Sequence, residues 1–345
     1  MPGHNRHGNR SVSGKSDGKI KQTNAERKMK SKIVTDGLQS VLKNVKLDDN
    51  DECNSKNSNK NGGKPYGKDD GNRESGDKDN GSNKMRFDIC PKRDNVKPKA
   101  PSLFLYKVRG NQPKHKGKGN VYFRPVMVLM NNYISIEDQI SIVKTCRELG
   151  VNNGGFYQPC YSDGSKLNLK MMCLGKNWDP ETKLYSETRP VDNAESHPIP
   201  EVFHDMVIKA LQDSNAYIMN QVPEANVGAL NPLMVPDICI VNFYSESGKL
   251  GFHQDEDESE MSLKKGLPVV SFSIGDSAEF LYGETWNPDD AEKVILESGD
   301  VLIFGGKSRH IFHGVSYILP DTAQTSLIES TDMRPGRLNL TFRKY

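Results

Sequence analysis

Seven short runs, all after Pro236, limit what this chain can become: DICIVNFY, PVVSFSIG, EFLYG, KVILE, DVLIFGG, AQTSLIE and RLNLTFR. Each is apolar or alternating, and Gly, Asp, Ser or Pro punctuate the intervals between them. Runs this short suit strands better than amphipathic helices, and several in succession fold as a sandwich or barrel of the jelly-roll type. In RLNLTFRKY a period of two puts Leu338, Leu340 and Phe342 on one face and Arg337, Asn339, Thr341 and Arg343 on the other. One face suits a core. The other carries two guanidiniums, which either meet water or line a pocket for an anion.

The region before these runs is helical in part. Ser135, with Asp138 three residues on, opens a helix that carries Ile140, Val143 and Leu149 at helical spacing and stops at Gly150. A second helix is expected from Pro200 to Asp213. SLFLYK and VYFRPVMVLM read as extended segments on either side of the basic loop NQPKHKGKGN. The expectation is an α+β protein, a jelly-roll core with flanking helices. It divides into a tail (1–84), an extended lead-in (85–130) and the main domain (131–345), with a lid at about 150–200.

Only 34% of the 345 residues are hydrophobic, too few for a chain that is globular throughout. The deficit lies in residues 1–84, where Tyr66 is the only aromatic residue, so this tail is expected to be disordered. Between Met1 and Val34 nine Lys/Arg face two acids, an excess of +7 (9 − 2), which suits a solubilising tail or an arm that seeks nucleic acid or directs nuclear import. Val34, Leu38, Val41, Leu42 and Val45 recur at helical spacing within it. Six cysteines without a CxxC pair indicate reduced thiols rather than zinc or disulfides. No apolar stretch suits a bilayer. A monomer in the nucleus or cytoplasm, with no membrane partner, is expected.

Chemistry concentrates in GFHQDEDESE, where His253 and Asp255 stand two apart and share a face. Two histidines and one carboxylate make the facial triad of non-haem iron(II). GGKSRHIFHGV offers two candidates for the third ligand, His310 and His313. On an extended segment they point to opposite faces. His313 is favoured, because it follows apolar Ile311 and Phe312 and precedes Gly314, where backbone can approach a metal closely. A bidentate 2-oxo acid on such a metal would leave one position for O2. Its far carboxylate would suit a guanidinium fork, so Arg337 and Arg343 are expected to serve the two ends of 2-oxoglutarate. Asn242 and Tyr244, two apart on the preceding strand, would add an amide and a hydroxyl.

NFYSESGKLGFHQDEDE, GDVLIFGGKSRHIFHG and RLNLTFR, in this order, resemble the AlkB family of iron(II)/2-oxoglutarate dioxygenases, whose signature is HxD, a distal His, then RxNxTxR. The likeness is close from Pro236 to Arg343 and looser from Met130 to Asn231. It implies the double-stranded β-helix form of the jelly roll. It also implies His253, Asp255 and His313 as Fe(II) ligands, and Asn242, Tyr244, Arg337, Asn339 and Arg343 around 2-oxoglutarate. Asp257 matches the position that can reach a base edge. A flipped base also needs stacking; Trp178, in an expected mobile loop, with Tyr157, Tyr161 and Tyr185, are the candidates.

The implied activity is oxidative demethylation of N-methylated nucleobases in DNA or RNA, single-stranded or flipped, consuming O2 and releasing formaldehyde, succinate and CO2. The NWD segment resembles the branch acting on methyladenine. Hydroxylation of a protein substrate and non-catalytic reading of methylated nucleic acid are the alternatives.

Overall fold

The computed structural model describes residues 86–91, 119–222 and 230–345. The tail at 1–84, with its basic arm, helical-spaced stretch and Cys53, lies outside the described residues. So do SLFLYK and most of NQPKHKGKGN.

The short runs become strands. In chain order these are β1 (Val121–Arg124), β2 (Met127–Met130), β3 (Lys170–Leu174), β4 (Asn177–Asp179), β5 (Leu184–Ser186), β6 (Ile238–Tyr244), β7 (Leu250–His253), β8 (Val269–Gly275), β9 (Ser277–Gly283), β10 (Glu292–Leu296), β11 (Val301–Phe304), β12 (Phe312–Leu319) and β13 (Arg337–Arg343). The helices are α1 (Ile136–Gly150), α2 (Glu201–Gln221), α3 (Glu260–Lys264) and α4 (Thr325–Thr331). A larger sheet runs β1-β2-β11-β8-β13-β6-β3 and a smaller one β10-β9-β12-β7, while β4 and β5 pair as a separate hairpin. All the named pairings are antiparallel. The segment expected as an extended lead-in thus supplies β1 and β2 to the larger sheet.

Alternation along the strands sorts side chains into two cores. Leu338, Leu340 and Phe342 of β13 join Val241, Phe243, Val270 and Phe272 beneath the helices, which contribute Ile142, Val143, Phe203, Val207 and Leu327. The opposite face of the larger sheet turns toward the smaller one. There Met127, Ile240, Leu302 and Phe304 meet Phe280, Tyr282, Val315 and Ile318. This is a double-stranded β-helix with helices on one outer face. No described helix is long and apolar enough to cross a membrane.

Helix α1 is set as expected, with Ser135 Oγ accepting from Asp138 N at its start. Helix α2 continues past Asp213, because Ser214 satisfies its hydroxyl on the Leu211 carbonyl (2.9 Å) and Ile218 extends the buried stripe. AQTSLIE, read as a strand, forms α4 instead. Its Leu327 and Thr331 lie one turn apart and buried, Thr331 Oγ1 donating to Leu327 O at 2.7 Å, and Asp332 in left-handed conformation (φ 55°) ends the helix. Trp178, expected on a mobile loop, sits on β4, paired with Tyr185 of β5. Cys146, Cys173 and Cys239 are buried free thiols, and Cys90 is buried as well.

Phe342 meets Phe272 with ring centroids 4.9 Å apart and no solvent exposure. Phe342→Ala should lower unfolding stability in urea by about 3–5 kcal/mol. A loss below about 1 kcal/mol would show that this face of β13 is not core.

Candidate active site

The polar face of β13 lines a cavity between the sheets. Arg337, Asn339, Thr341 and Arg343 border it together with Asn242 and Tyr244 of β6, Ser271 of β8, and His253, Asp255 and His313. Its empty volume is about 500 Å³, counting solvent at the mouth. Register explains the grouping: in the β13–β6 ladder Arg337 pairs with Tyr244 and Asn339 with Asn242.

His253 ends β7 and His313 lies near the start of β12, and the two are direct cross-strand partners. Their ring centroids are 4.5 Å apart. Each Nε2 stands 3.7 Å from one oxygen of Asp255. Nδ1 of His253 faces the Gly251 carbonyl (2.8 Å) and Nδ1 of His313 the Ile311 carbonyl (3.2 Å), which leaves both Nε2 atoms directed inward. The three ligand atoms lie within 4.8 Å of one another, a spacing suited to one metal ion. Asp255 Oδ2, although buried, has no hydrogen-bond partner among the described residues. Burial and the neighbouring His253 imidazole push His313 down to about 4, so at neutral pH it is the uncharged form that can ligate. Burial would raise the Asp255 carboxyl, but Arg343, His313, His253 and Arg309 together hold it well below the usual carboxylate range.

His310 is exposed. Its carbonyl accepts from Gln254 Nε2, and its ring takes no part in the cluster. Gly314 does serve close approach, but not toward a metal. A Cβ there would come within 2.9 Å of the Leu250 carbonyl oxygen and 3.1 Å of that of Gly251, so the missing side chain lets β12 lie against β7 where their register shifts.

The two arginines of β13 differ. Arg337 is 1% exposed. Its Nη2 donates to Ser273 Oγ (2.9 Å), while Nε and Nη1 have no partner among the described residues. Burial pushes it down to about 10, against the pull of Tyr244 and Asp300, so it is still a cation at neutral pH. A buried cation with two idle donors beside a cavity has the chemistry that suits an anion. Asn242 Oδ1 is likewise without a partner. Arg343 is already engaged: Nη1 lies 3.1 Å from Asp255 Oδ1, 2.7 Å from Glu258 Oε1 and 3.2 Å from the Tyr185 hydroxyl. Asn339 is engaged too, donating to Ser271 Oγ (2.8 Å) and the Phe272 carbonyl (2.9 Å).

Sequence reasoning missed two residues here. Glu258 has no exposed side-chain surface and bridges Arg343 to Arg309, whose Nη2 lies 2.7 Å from Glu258 Oε2. Arg309 also donates to the backbone carbonyls of Asp255 and Leu267. In the sequence Glu258 is hidden among equivalent acids, and nothing sets Arg309 apart from other basic residues. Among the candidates for base recognition, Trp178 donates its indole N–H to Asp257 Oδ2 (2.9 Å). Burial raises the Asp257 carboxyl above its ordinary value despite that bond. Tyr157 lies beneath the Arg189 guanidinium, 4.4 Å from its ring centroid. Tyr161 sits in a turn with Gly164. None of these four borders the cavity.

Residues 126–343 match the 2OG-Fe(II) oxygenase superfamily. The chain is 54% identical over 270 residues to the Arabidopsis thaliana protein named DNA N(6)-methyladenine demethylase ALKBH1C, covering 78% of this chain and 59% of that protein. It is 25% identical over 261 residues to the Schizosaccharomyces pombe tRNA demethylase abh1, covering 64% of this chain and 79% of that one. A solved structure entitled "The structure of OsALKBH1" is 57% identical with a TM-score of 0.63, covering 66% of this chain and all of that chain. The chain spans a little over half the length of the Arabidopsis relatives it matches.

Glu258→Gln would leave Arg309 and Arg343 short of one buried negative charge. It should cost about 3–5 kcal/mol in chemical denaturation, as broken buried pairs do. A change below about 1 kcal/mol would show that the pairing adds little to the fold.

Proposed function

The chain belongs to the 2OG-Fe(II) oxygenase superfamily, and from that premise we propose that it oxidatively demethylates N-methylated adenine in nucleic acid. One observation carries the reading. His253, Asp255 and His313 border the same cavity as the two idle donors of Arg337. The donor set fits iron(II), and the idle guanidinium edge fits a carboxylate of 2-oxoglutarate. Two named demethylases among the relatives, one of DNA methyladenine and one of tRNA, point the chemistry at nucleobases.

Iron(II), when held with 2-oxoglutarate and O2, supplies the oxidising power for breaking a methyl C–H bond. The chain's own residues do the rest. His253, Asp255 and His313 would hold the metal. Arg337, with Ser273 fixing one nitrogen, anchors the far carboxylate, and Asn242 and Tyr244 lie alongside. Phe304 and Phe280 pack near His313, at ring centroid distances of 5.2 and 5.7 Å, and keep water from the reacting atoms. Asp257, oriented by Trp178, offers a carboxylate oxygen to an exocyclic N–H of the base. A nuclear or cytoplasmic location goes with such a substrate.

The test is mass spectrometry of DNA and RNA oligonucleotides bearing N6-methyladenine or 1-methyladenine, incubated with protein, iron(II), ascorbate and 2-oxoglutarate. Unmodified adenine and formaldehyde should appear, and they should vanish with His313→Ala but persist with His310→Ala. No demethylation of any methyladenine substrate by the intact chain would refute the proposal.

Arg337→Lys keeps the charge and loses the fork. It should raise the apparent 2-oxoglutarate constant roughly ten- to a hundredfold, the loss of about 1.5–3 kcal/mol that follows a missing charge-assisted bond. Lys344, outside β13 and 3.2 Å from Asp237, should tolerate Ala with little change in that constant. Equal effects at the two positions would place the anion elsewhere.

A further inference from the structure

The β4–β5 hairpin touches the acidic turn through two neighbouring bonds. Trp178 and Tyr185 are cross-strand partners. Trp178 bonds Asp257, and Tyr185 donates its hydroxyl proton to the next residue, Glu258, at 3.2 Å from Oε1. The same hydroxyl oxygen accepts from Arg343 Nη1 at 3.2 Å. Arg343 Nη1 in turn reaches Asp255 Oδ1 at 3.1 Å, and Glu258 passes the contact on to Arg309. One phenol therefore stands between the hairpin and the carboxylate beside the two histidines. Its ring is held by an edge contact on Tyr345, with centroids 5.4 Å apart, so the hydroxyl has a fixed place.

We propose that Tyr185 is a positioning residue for Asp255, acting through Arg343 and Glu258, so that seating of the β4–β5 hairpin sets the geometry of the metal site. Three acceptors crowd one guanidinium nitrogen, and a guanidinium in that position has several ways to turn. The Tyr185 oxygen takes one N–H, and the Tyr185 proton occupies the Glu258 oxygen that Arg343 would otherwise hold alone. The Asp255 carboxylate is then left with Oδ1 shared between Arg343 and the side facing His253, and with Oδ2 free to face His313 at 3.7 Å, the arrangement a metal needs. With Phe at position 185 the ring packing survives and only this constraint is lost. Arg343 can then turn further onto Asp255 and compete with a metal for it. The inference rests on the reading of His253, Asp255 and His313 as metal ligands. It extends that reading by making the hairpin part of the metal site.

The test compares Tyr185→Phe with Glu181→Ala in the full chain. Glu181 ties the same hairpin to the Ser162 amide (3.1 Å) and hydroxyl (2.7 Å) and takes no part in the chain of contacts to Asp255. Mn2+ binding, measured by calorimetry, is the readout, with hydrogen exchange of the hairpin amides and thermal unfolding alongside. Both variants should exchange faster in the hairpin and melt near the wild type. Only Tyr185→Phe should weaken Mn2+ binding, by about fivefold, the effect of one lost hydrogen bond. Mn2+ affinity of Tyr185→Phe within twofold of the wild type, or an equal loss in Glu181→Ala, overturns the coupling and leaves the metal site standing. A wild-type chain that binds no Mn2+, or binds it equally well as His313→Ala, overturns the metal-site reading and the coupling with it.

Discussion

The contact on which the site depends is a buried cluster of four charges: Asp255, Arg343, Glu258 and Arg309. Removing such groups from water is costly, and the cost is met only where each charge finds an opposite one with hydrogen bonds attached. Here the two carboxylates and two guanidiniums cancel. They also join parts of the chain that are distant in sequence: the turn after β7, the segment leading into β12, and the end of β13. Asp255 is held where both histidines can face it because Arg343 and the carbonyl contacts of Arg309 leave the turn few alternatives.

This arrangement divides the labour along β13. Arg343 belongs to the internal cluster, whereas Arg337, further along the same face, keeps two donors idle. Both are buried and both border the cavity, yet Arg343 is engaged with carboxylates while Arg337, among the described residues, bonds only Ser273. The difference lies in their cross-strand neighbours. Arg337 stands opposite Tyr244 and Gly275, and Ser273 occupies only one of its nitrogens. Among the described residues no carboxylate bonds it, since Asp300 is taken up with the amides of Asn132 and Glu297.

Patterns of fixed period and spacing are legible in the amino-acid sequence by themselves. The alternation in RLNLTFR sorts its side chains to the correct faces, and HxD with a distal histidine locates three residues that do converge. What is not legible depends on contacts between distant segments. Nothing in GFHQDEDESE separates Glu258 from Asp257 or Glu256, because burial of one acid among several is decided by where Arg309 and Arg343 arrive. AQTSLIE is too short for its period to distinguish helix from strand, and the burial of Leu327 and Thr331 one turn apart settles it as helix. The value of Gly314 is visible in the sequence, but its reason is not, since the neighbour it admits is the backbone of β7.

The pairing of His253 with His313 across β7 and β12 makes the candidate metal site a gauge of strand registry. Side chains alternate with a period of two, so a slip of β12 by one residue would turn His313 out of the cavity. The chain near β7 supplies only His253 and Asp255, and the third ligand arrives only when β12 pairs in register. A metal ion present during assembly would therefore discriminate among pairings that backbone hydrogen bonds alone tolerate. At a hundred times its dissociation constant it would favour the correct one by about 2.7 kcal/mol. A metal bound at this triad would then also act as a proofreader of the β-sheet.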